Sequence, residues 1–203
     1  MDLKNKGVLV VVSAPAGCGK DTVLENLKTR DLSLNKTISV TTRNMRVGEK
    51  DGIDYYFTDK ETFCKKIENG EFLEYTEYNG NYYGTLKTEI ERCVGKGGFT
   101  ILKIEVEGGE NIRRLIPEAV SVFIIPPSME ELENRLRGRG TETEENLRIR
   151  LHTAKTEITK AADYDYIVVN DTVDACTDRI CQILNSEAMR YNRMAETVKN
   201  LLK

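Results

Sequence analysis

An α/β fold with a parallel sheet at its centre is predicted by three features of this chain. Apolar runs recur at residues 8–12, 99–106, 120–125 and 166–169, each the length of a buried strand. Helical patterns stand between several of them, as in a doubly wound sheet covered on both faces. The first run opens directly into a loop of small residues, Ser13-Ala14-Pro15-Ala16-Gly17-Cys18-Gly19-Lys20, and a helical pattern carried by Val23, Leu24 and Leu27 follows.

That loop carries the first chemical signal. A strand–loop–helix of this kind points successive backbone N–H groups inward, and the helix adds its positive N-terminal end. Lys20 is placed to reach the β- and γ-phosphates of a nucleoside triphosphate. The loop departs from G-x-x-x-x-G-K-[ST] at two places. Ala14 replaces the first glycine, a mild change where the backbone keeps φ < 0. Asp21 replaces the Ser/Thr whose hydroxyl meets Mg²⁺. A carboxylate is also a good Mg²⁺ ligand, so Asp21 is the candidate metal residue. The alternative is an ordinary glycine-rich βα turn. The strand before it and the helix after it favour phosphate binding.

Composition narrows the function classes. A chain of 203 residues makes one domain, or one with small insertions. A net charge of −3 with 31% charged residues suits a soluble cytoplasmic protein, with no electrostatic case for nucleic acid or an anionic membrane. No apolar run approaches a bilayer span, and the N-terminus lacks a signal-peptide core. Cys18, Cys64, Cys93, Cys176 and Cys181 are scattered and form no C-x-x-C pair, so structural zinc and a disulfide framework are not expected. His152, the single histidine, sits in a charged helical pattern and reads as a surface residue.

Between the runs, residues 38–42 are expected to supply another strand. The stretch 41–98 is rich in Tyr, Gly, Thr and charge. Its short strand-like pieces (54–57, 72–78, 81–83) and a helix near 60–69 read as a small α+β insertion. Residues 130–139 form a charged amphipathic helix, broken by Gly138-Arg139-Gly140, and 142–159 form a second. Such a break between arginine-bearing helices suits a mobile lid. Residues 172–203 are mostly helical and are expected to close the core.

A second constellation follows residue 38. Ser39-Val40-Thr41-Thr42-Arg43-Asn44-Met45-Arg46-Val47-Gly48-Glu49 places two arginines after a strand. Arginine holds phosphate through a planar, bidentate fork; charge alone also fits a solvated loop. Asp51-Gly52-Ile53-Asp54-Tyr55-Tyr56-Phe57, Gly70-Glu71-Phe72-Leu73-Glu74 and Asn79-Gly80-Asn81-Tyr82-Tyr83-Gly84-Thr85 come next. Tyrosine hydroxyls can also hold a phosphate, and Glu74 can accept two N–H bonds from one purine edge.

In this order the motifs resemble guanylate kinase. The resemblance runs from Val8 to about Ile183 and adds P-P-S-x-E-E-L, R-L-x-x-R-G-T-E-T and V-V-N-D to those above. Any one motif is weak; their order and spacing together are specific. The resemblance implies a P-loop kinase of one domain, with a core (1–40, 99–136, 154–203), a GMP-binding subdomain (41–98) and a helical lid (137–153). It implies transfer from ATP to GMP, and to dGMP, with Mg²⁺ as cofactor and no nucleic-acid or membrane partner. By matching position, Arg43, Arg46, Tyr55 and Tyr83 would hold the GMP phosphate. Ser39, Glu74 and Thr85 would read guanine, with Glu105 joining the GMP set. A carboxylate at Glu74 suits guanine N1–H and N2–H₂, whereas adenine offers an acceptor at N1. The ATP side would comprise Ala14, Pro15, Ala16, Gly17, Cys18, Gly19, Lys20, Asp21 and Thr22, with Asn170 near adenine. Arg135, Arg139 and Arg150 match the triphosphate-side arginines and join Lys20 as the catalytic set. Taken singly, each is more often a surface arginine.

The chain departs from the family at one strand end. Where the family carries two acids around an apolar residue, then Gln-Gly, this chain reads Lys103-Ile104-Glu105-Val106-Glu107-Gly108. Met45 also stands where Pro is usual. The two unusual charges are expected to meet, Asp21 facing Lys103 across the phosphate site. Two other readings are a different P-loop small-molecule kinase, such as a ribose bisphosphate phosphokinase, and a binding module that has lost catalysis. The Ser39/Glu74/Thr85 set opposes the first, and Lys20 with the three arginines opposes the second. The sequence does not indicate an oligomeric state.

Overall fold

In the computed structural model, which describes residues 7–78, 80–138 and 143–203, strand β1 (Val8–Ser13) is buried along its whole length. It can be so because both of its faces are apolar. Val8, Val10 and Val12 point into one core cluster, whereas Leu9 and Val11 point into another; side chains of a strand alternate between faces. β1 lies at the centre of a five-stranded parallel sheet with β2 (Leu34–Lys36), β7 (Phe99–Lys103), β8 (Val120–Ile125) and β9 (Tyr166–Val169), in the order β2-β7-β1-β8-β9.

Helices cover both faces. On one side α1 (Lys20–Leu27), α5 (Met129–Arg137), α6 (Glu144–Thr159) and α7 (Val173–Ala188) bury Val23, Leu27, Leu132, Leu136, Leu147, Ile180 and Leu184. On the other side α3 (Lys87–Val94) and α4 (Val106–Leu115) bury Ile90, Val94 and Ile112. The chain also caps its helices. Ser128, Thr143 and Thr172 accept from Glu131, Asn146 and Ala175 N–H groups at 3.0, 3.2 and 3.3 Å, satisfying donors the first turn leaves open.

Between β2 and α3 the chain forms a second sheet, of order β4-β3-β6-β5, from β3 (Val40–Thr41), β4 (Tyr56–Phe57), β5 (Phe72–Tyr78) and β6 (Asn81–Leu86). Helix α2 (Lys60–Glu68) closes it, with Phe63 stacked on Phe72 at 4.4 Å and on Tyr82 at 5.3 Å.

Five expectations change. The strand expected over 99–106 ends at Lys103, because Glu105 takes the N-cap position of α4 and Val106 begins that helix. Residues 38–42 do supply a strand, but Val40–Thr41 belongs to the second sheet. The fifth parallel strand is Leu34–Lys36, whose Asn35 and Lys36 hide it from an apolar count. Strand 166–169 is an edge, with Ile167 46% exposed, and not a buried strand. At the C-terminal end α7 alone closes the core; α8 (Tyr191–Asn200) has no buried residue.

Candidate active site

The phosphate loop follows β1 and is held by its own backbone. Gly17 and Gly19 take φ +91° and +81°, conformations that a side chain strains. A Cβ at Gly17 would stand 2.7 Å from Leu136, and one at Gly19 2.7 Å from the Asn170 amide. Cys18 between them is fully buried, and burial pushes its thiol up to about 12. It is a packing residue and not a nucleophile. No described side chain caps α1, so its first turn presents N–H groups to an anion.

Lys20 opens α1 and reaches back to the end of β7. Its Nζ donates to the Ile104 carbonyl at 2.9 Å and pairs with Glu105 at 3.4 Å. Burial lowers its pKa, and Glu105 offsets part of that. The loop, Lys20, Asp21 and Thr22 line a cavity of about 920 Å³. Its far wall is α6, with Asn146, Arg150, Thr153 and Glu157; Glu105 and Glu107 also face it. Burial raises the Glu157 pKa, and the backbone N–H of Ala16 offsets part of that.

Asn170 and Arg135 are bonded within the protein, against the phosphate loop. Asn170 is 3% exposed and donates its amide to the Cys18 carbonyl at 2.7 Å. Arg135 donates to the Asn170 carbonyl at 3.0 Å and to Glu131 at 2.8 Å. Neither is among the residues that line the large cavity. In this arrangement they brace the loop from beneath.

A second cavity of about 530 Å³ opens toward the small sheet and gathers Ser39, Arg43, Arg46, Tyr55 and Tyr83. Arg43 is set in place here. Both Glu49 oxygens accept from its guanidinium, at 2.8 and 3.0 Å, and its charge sits 5.4 Å from the Tyr55 ring centre. The Arg46 N–H also donates to Glu49, at 2.8 Å. The Arg43 fork holds the Glu49 carboxyl below its ordinary pKa. Glu49 is a site residue that the sequence reading quoted without a role. Its signal was an acid three residues after one arginine and six after the other.

Glu74 and Thr85 form a pair beside this cavity and are not among its lining residues. Thr85 donates its hydroxyl to Glu74 at 2.8 Å. Glu74 is 7% exposed, and burial raises its pKa to about 6.

The two cavities share one residue, Asp21. β1 pairs with β7 so that Val12 lies level with Lys103, which sets Lys103 just below the phosphate loop. Its ammonium meets Asp21 at 2.9 Å, as the sequence reading expected.

Comparison with known proteins agrees with this geometry. The guanylate kinase family profile matches residues 6–187. The chain belongs to the guanylate kinase family. It is 44% identical to the guanylate kinase of Halalkalibacterium halodurans, over 98% of both chains. Against the guanylate kinase of Clostridioides difficile it is 44% identical, over 93% of this chain and 92% of that one. The crystal structure of guanylate kinase from Anaplasma phagocytophilum superposes with a TM-score of 0.72 at 38% identity, over 95% of this chain and 92% of that one. The fold is thus the expected P-loop kinase fold.

Within this guanylate kinase fold, the site residues divide three ways. Lys20, Asp21, Arg150 and Glu105 meet at the larger cavity, and Ser39, Arg43, Arg46, Tyr55 and Tyr83 at the smaller. Glu74, Thr85, Asn170 and Arg135 are not among the lining residues of either cavity. Arg139 lies outside the described residues. Among those, no group of three His, Cys, Asp or Glu side chains is arranged to hold a metal by itself. Also among them, no helix is long and apolar enough to cross a membrane.

Proposed function

We propose that this protein transfers the γ-phosphoryl group of ATP to GMP, and to dGMP, giving ADP and the nucleoside diphosphate. One observation carries the reading. A phosphate-loop cavity and an Arg43/Arg46/Tyr55/Tyr83 cavity meet at Asp21. Two phosphate sites that touch are what direct transfer between two nucleotides requires.

The donor triphosphate lies along the loop N–H groups, with Lys20 and Arg150 on its outer oxygens. The acceptor phosphate lies on Arg43, Arg46, Tyr55 and Tyr83. An acceptor oxygen attacks the γ-phosphorus; the new P–O bond forms as the bond to the ADP oxygen breaks, and that oxygen keeps the electron pair. Such a transition state needs positioning and charge neutralisation more than covalent help. No phosphoenzyme is needed: Cys18 is buried, and His152 is exposed on α6 and lines neither cavity.

Mg²⁺ is the cofactor of this reading. Asp21 would hold it, in a cavity that Glu105 and Glu107 also face. This donor set fits an ion that binds through one or two carboxylates plus substrate phosphates and keeps several waters. When bound, the ion neutralises phosphate charge. Five free cysteines suit the reducing cytoplasm, where this reading places the protein. The chain works as a single guanylate-kinase-like domain in which the 41–98 subdomain and the 137–153 lid close on the core, because the binding groups are spread over all three.

Guanine is read by Ser39 and by the Glu74–Thr85 pair, with Glu105 nearby. Initial rates with ATP, Mg²⁺ and GMP, set against AMP and ribose 1,5-bisphosphate, test this reading. GMP should exceed AMP by roughly 10⁴-fold, as sites built on substrate hydrogen bonds discriminate. AMP or the bisphosphate serving as well as GMP would overturn it.

A further inference from the structure

Lys103 does not belong to the acceptor set given above, yet it lines the same cavity as Arg43, Arg46 and Tyr55. Its ammonium donates to Asp21 at 2.9 Å, the residue shared by both cavities. On the donor side of that junction stands Lys20, paired with Glu105, and the Lys103 charge adds to the lowering of its pKa that burial brings about.

Apart from Arg46, already in the acceptor set, the charges of the smaller cavity make Lys103 stand out. Arg43 is already matched by Glu49, with side chains 13% and 21% exposed. Lys36 is held by the Ile53 carbonyl, and Lys28 pairs with its helix neighbour Glu25, an exposed pair that does not involve the residue shared by the two cavities. The Lys103–Asp21 pair is open to water, with side chains 48% and 76% exposed. A solvent-exposed pair of this kind contributes little, so an incoming anion can displace it. A phosphate monoester is a dianion, and Arg43 comes to it with its charge largely cancelled.

We propose that Lys103 is a catalytic residue of the acceptor side. Its ammonium leaves Asp21 for the acceptor phosphate and then holds the transferred phosphoryl group opposite Lys20. The exchange couples the two sites. An acceptor that takes Lys103 leaves the Asp21 carboxylate to the cation that accompanies the donor. Binding of either substrate therefore favours the other, by the same factor in both directions.

The proposal rests on reading the smaller cavity as the GMP phosphate site, and the experiment separates the two. Calorimetric titration of the full chain with GMP, without ATP or metal, is compared with titration by guanosine, which lacks the phosphate. Lys103→Met should weaken GMP binding about ten- to a hundredfold, the loss of one hydrogen bond to a charged group, and leave guanosine binding unchanged. Lys103→Arg should restore most of the GMP affinity. In Lys103→Met, GMP should no longer tighten binding of a magnesium complex of a non-hydrolysable ATP analogue. GMP affinity that is unaltered in Lys103→Met, or an equal loss of GMP and guanosine, would overturn the proposal. A wild-type protein that binds no GMP would overturn the acceptor-site reading itself, and this proposal with it.

Discussion

Thr85 gives its hydroxyl to the Glu74 carboxylate at 2.8 Å, and both residues are buried. This bond leaves the second Glu74 oxygen near α4, where a Cβ on Gly108 would come within 3.0 Å of it. Burial raises the Glu74 pKa from 4.5 to about 6, with the Thr85 bond pulling the other way. The pair is thus a carboxylate kept dry, with one oxygen held by Thr85.

Two opposite pH effects should follow. Guanine needs the ionised carboxylate, so KM for GMP should fall as pH rises through about 6. Stability should move the other way. The folded pKa is raised, so the native state binds more protons than the unfolded state between 4.5 and about 6, and stability declines across that window. The decline amounts to about 2 kcal/mol. Glu74→Gln should flatten both profiles, and KM and thermal melting measured from pH 4.5 to 7.5 check them together.

Glu49 should matter through Arg43. Glu49→Ala leaves the guanidinium without its two-point partner and frees the loop that the Arg46 N–H ties down. KM for GMP should rise about tenfold or more, with kcat and KM for ATP changed far less. Steady-state kinetics with each substrate varied in turn would show it. Glu49→Gln, which keeps one acceptor, should fall between.

Lys20 and Arg150 face the donor cavity from opposite walls. Removing either should lower kcat by about 10²–10³-fold, the scale on which preorganised charge acts in transfer reactions. Circular dichroism should show the fold intact. Loss of ATP binding with kcat unaltered would mark these side chains as ground-state contacts only.

Asn170 should behave differently from those two. Its amide holds the Cys18 carbonyl at 2.7 Å from inside the protein, so Asn170→Ala leaves a buried acceptor unmet. The expected cost is about 1–3 kcal/mol of stability. The melting temperature should drop, and ATP affinity should weaken through a loosened loop. A normal melting temperature with lost adenine selectivity would instead make it a base-reading residue.

How far the sequence could be read depended on what each feature rests upon. The run 8–12 and the Gly17–Gly19 turn were legible because burial on two faces and positive φ each demand particular residue types. The Asp21–Lys103 contact was legible because β7 lies beside β1 and ends at Lys103, next to the loop that leads from β1 to Asp21. Leu34–Lys36 was not, since a short edge strand carries a polar side chain and a charged one without cost. The bonds that Asn170 and Arg135 make within the protein were not legible for a related reason. A side chain bonded to a backbone carbonyl leaves no mark in spacing or charge. Glu49 was hidden because its acid reads as loop charge until two arginine donors are seen on it.

Direct passage of the phosphoryl group between the two cavities is tested most simply by following it. ATP carrying a radioactive γ-phosphorus is mixed with Mg²⁺, GMP and the protein, and the label is traced in a single turnover. The label should appear in GDP at the rate ADP forms, without a labelled protein at any time point. Label that accumulates first on the protein, or that leaves as inorganic phosphate while GMP stays unchanged, would contradict the account.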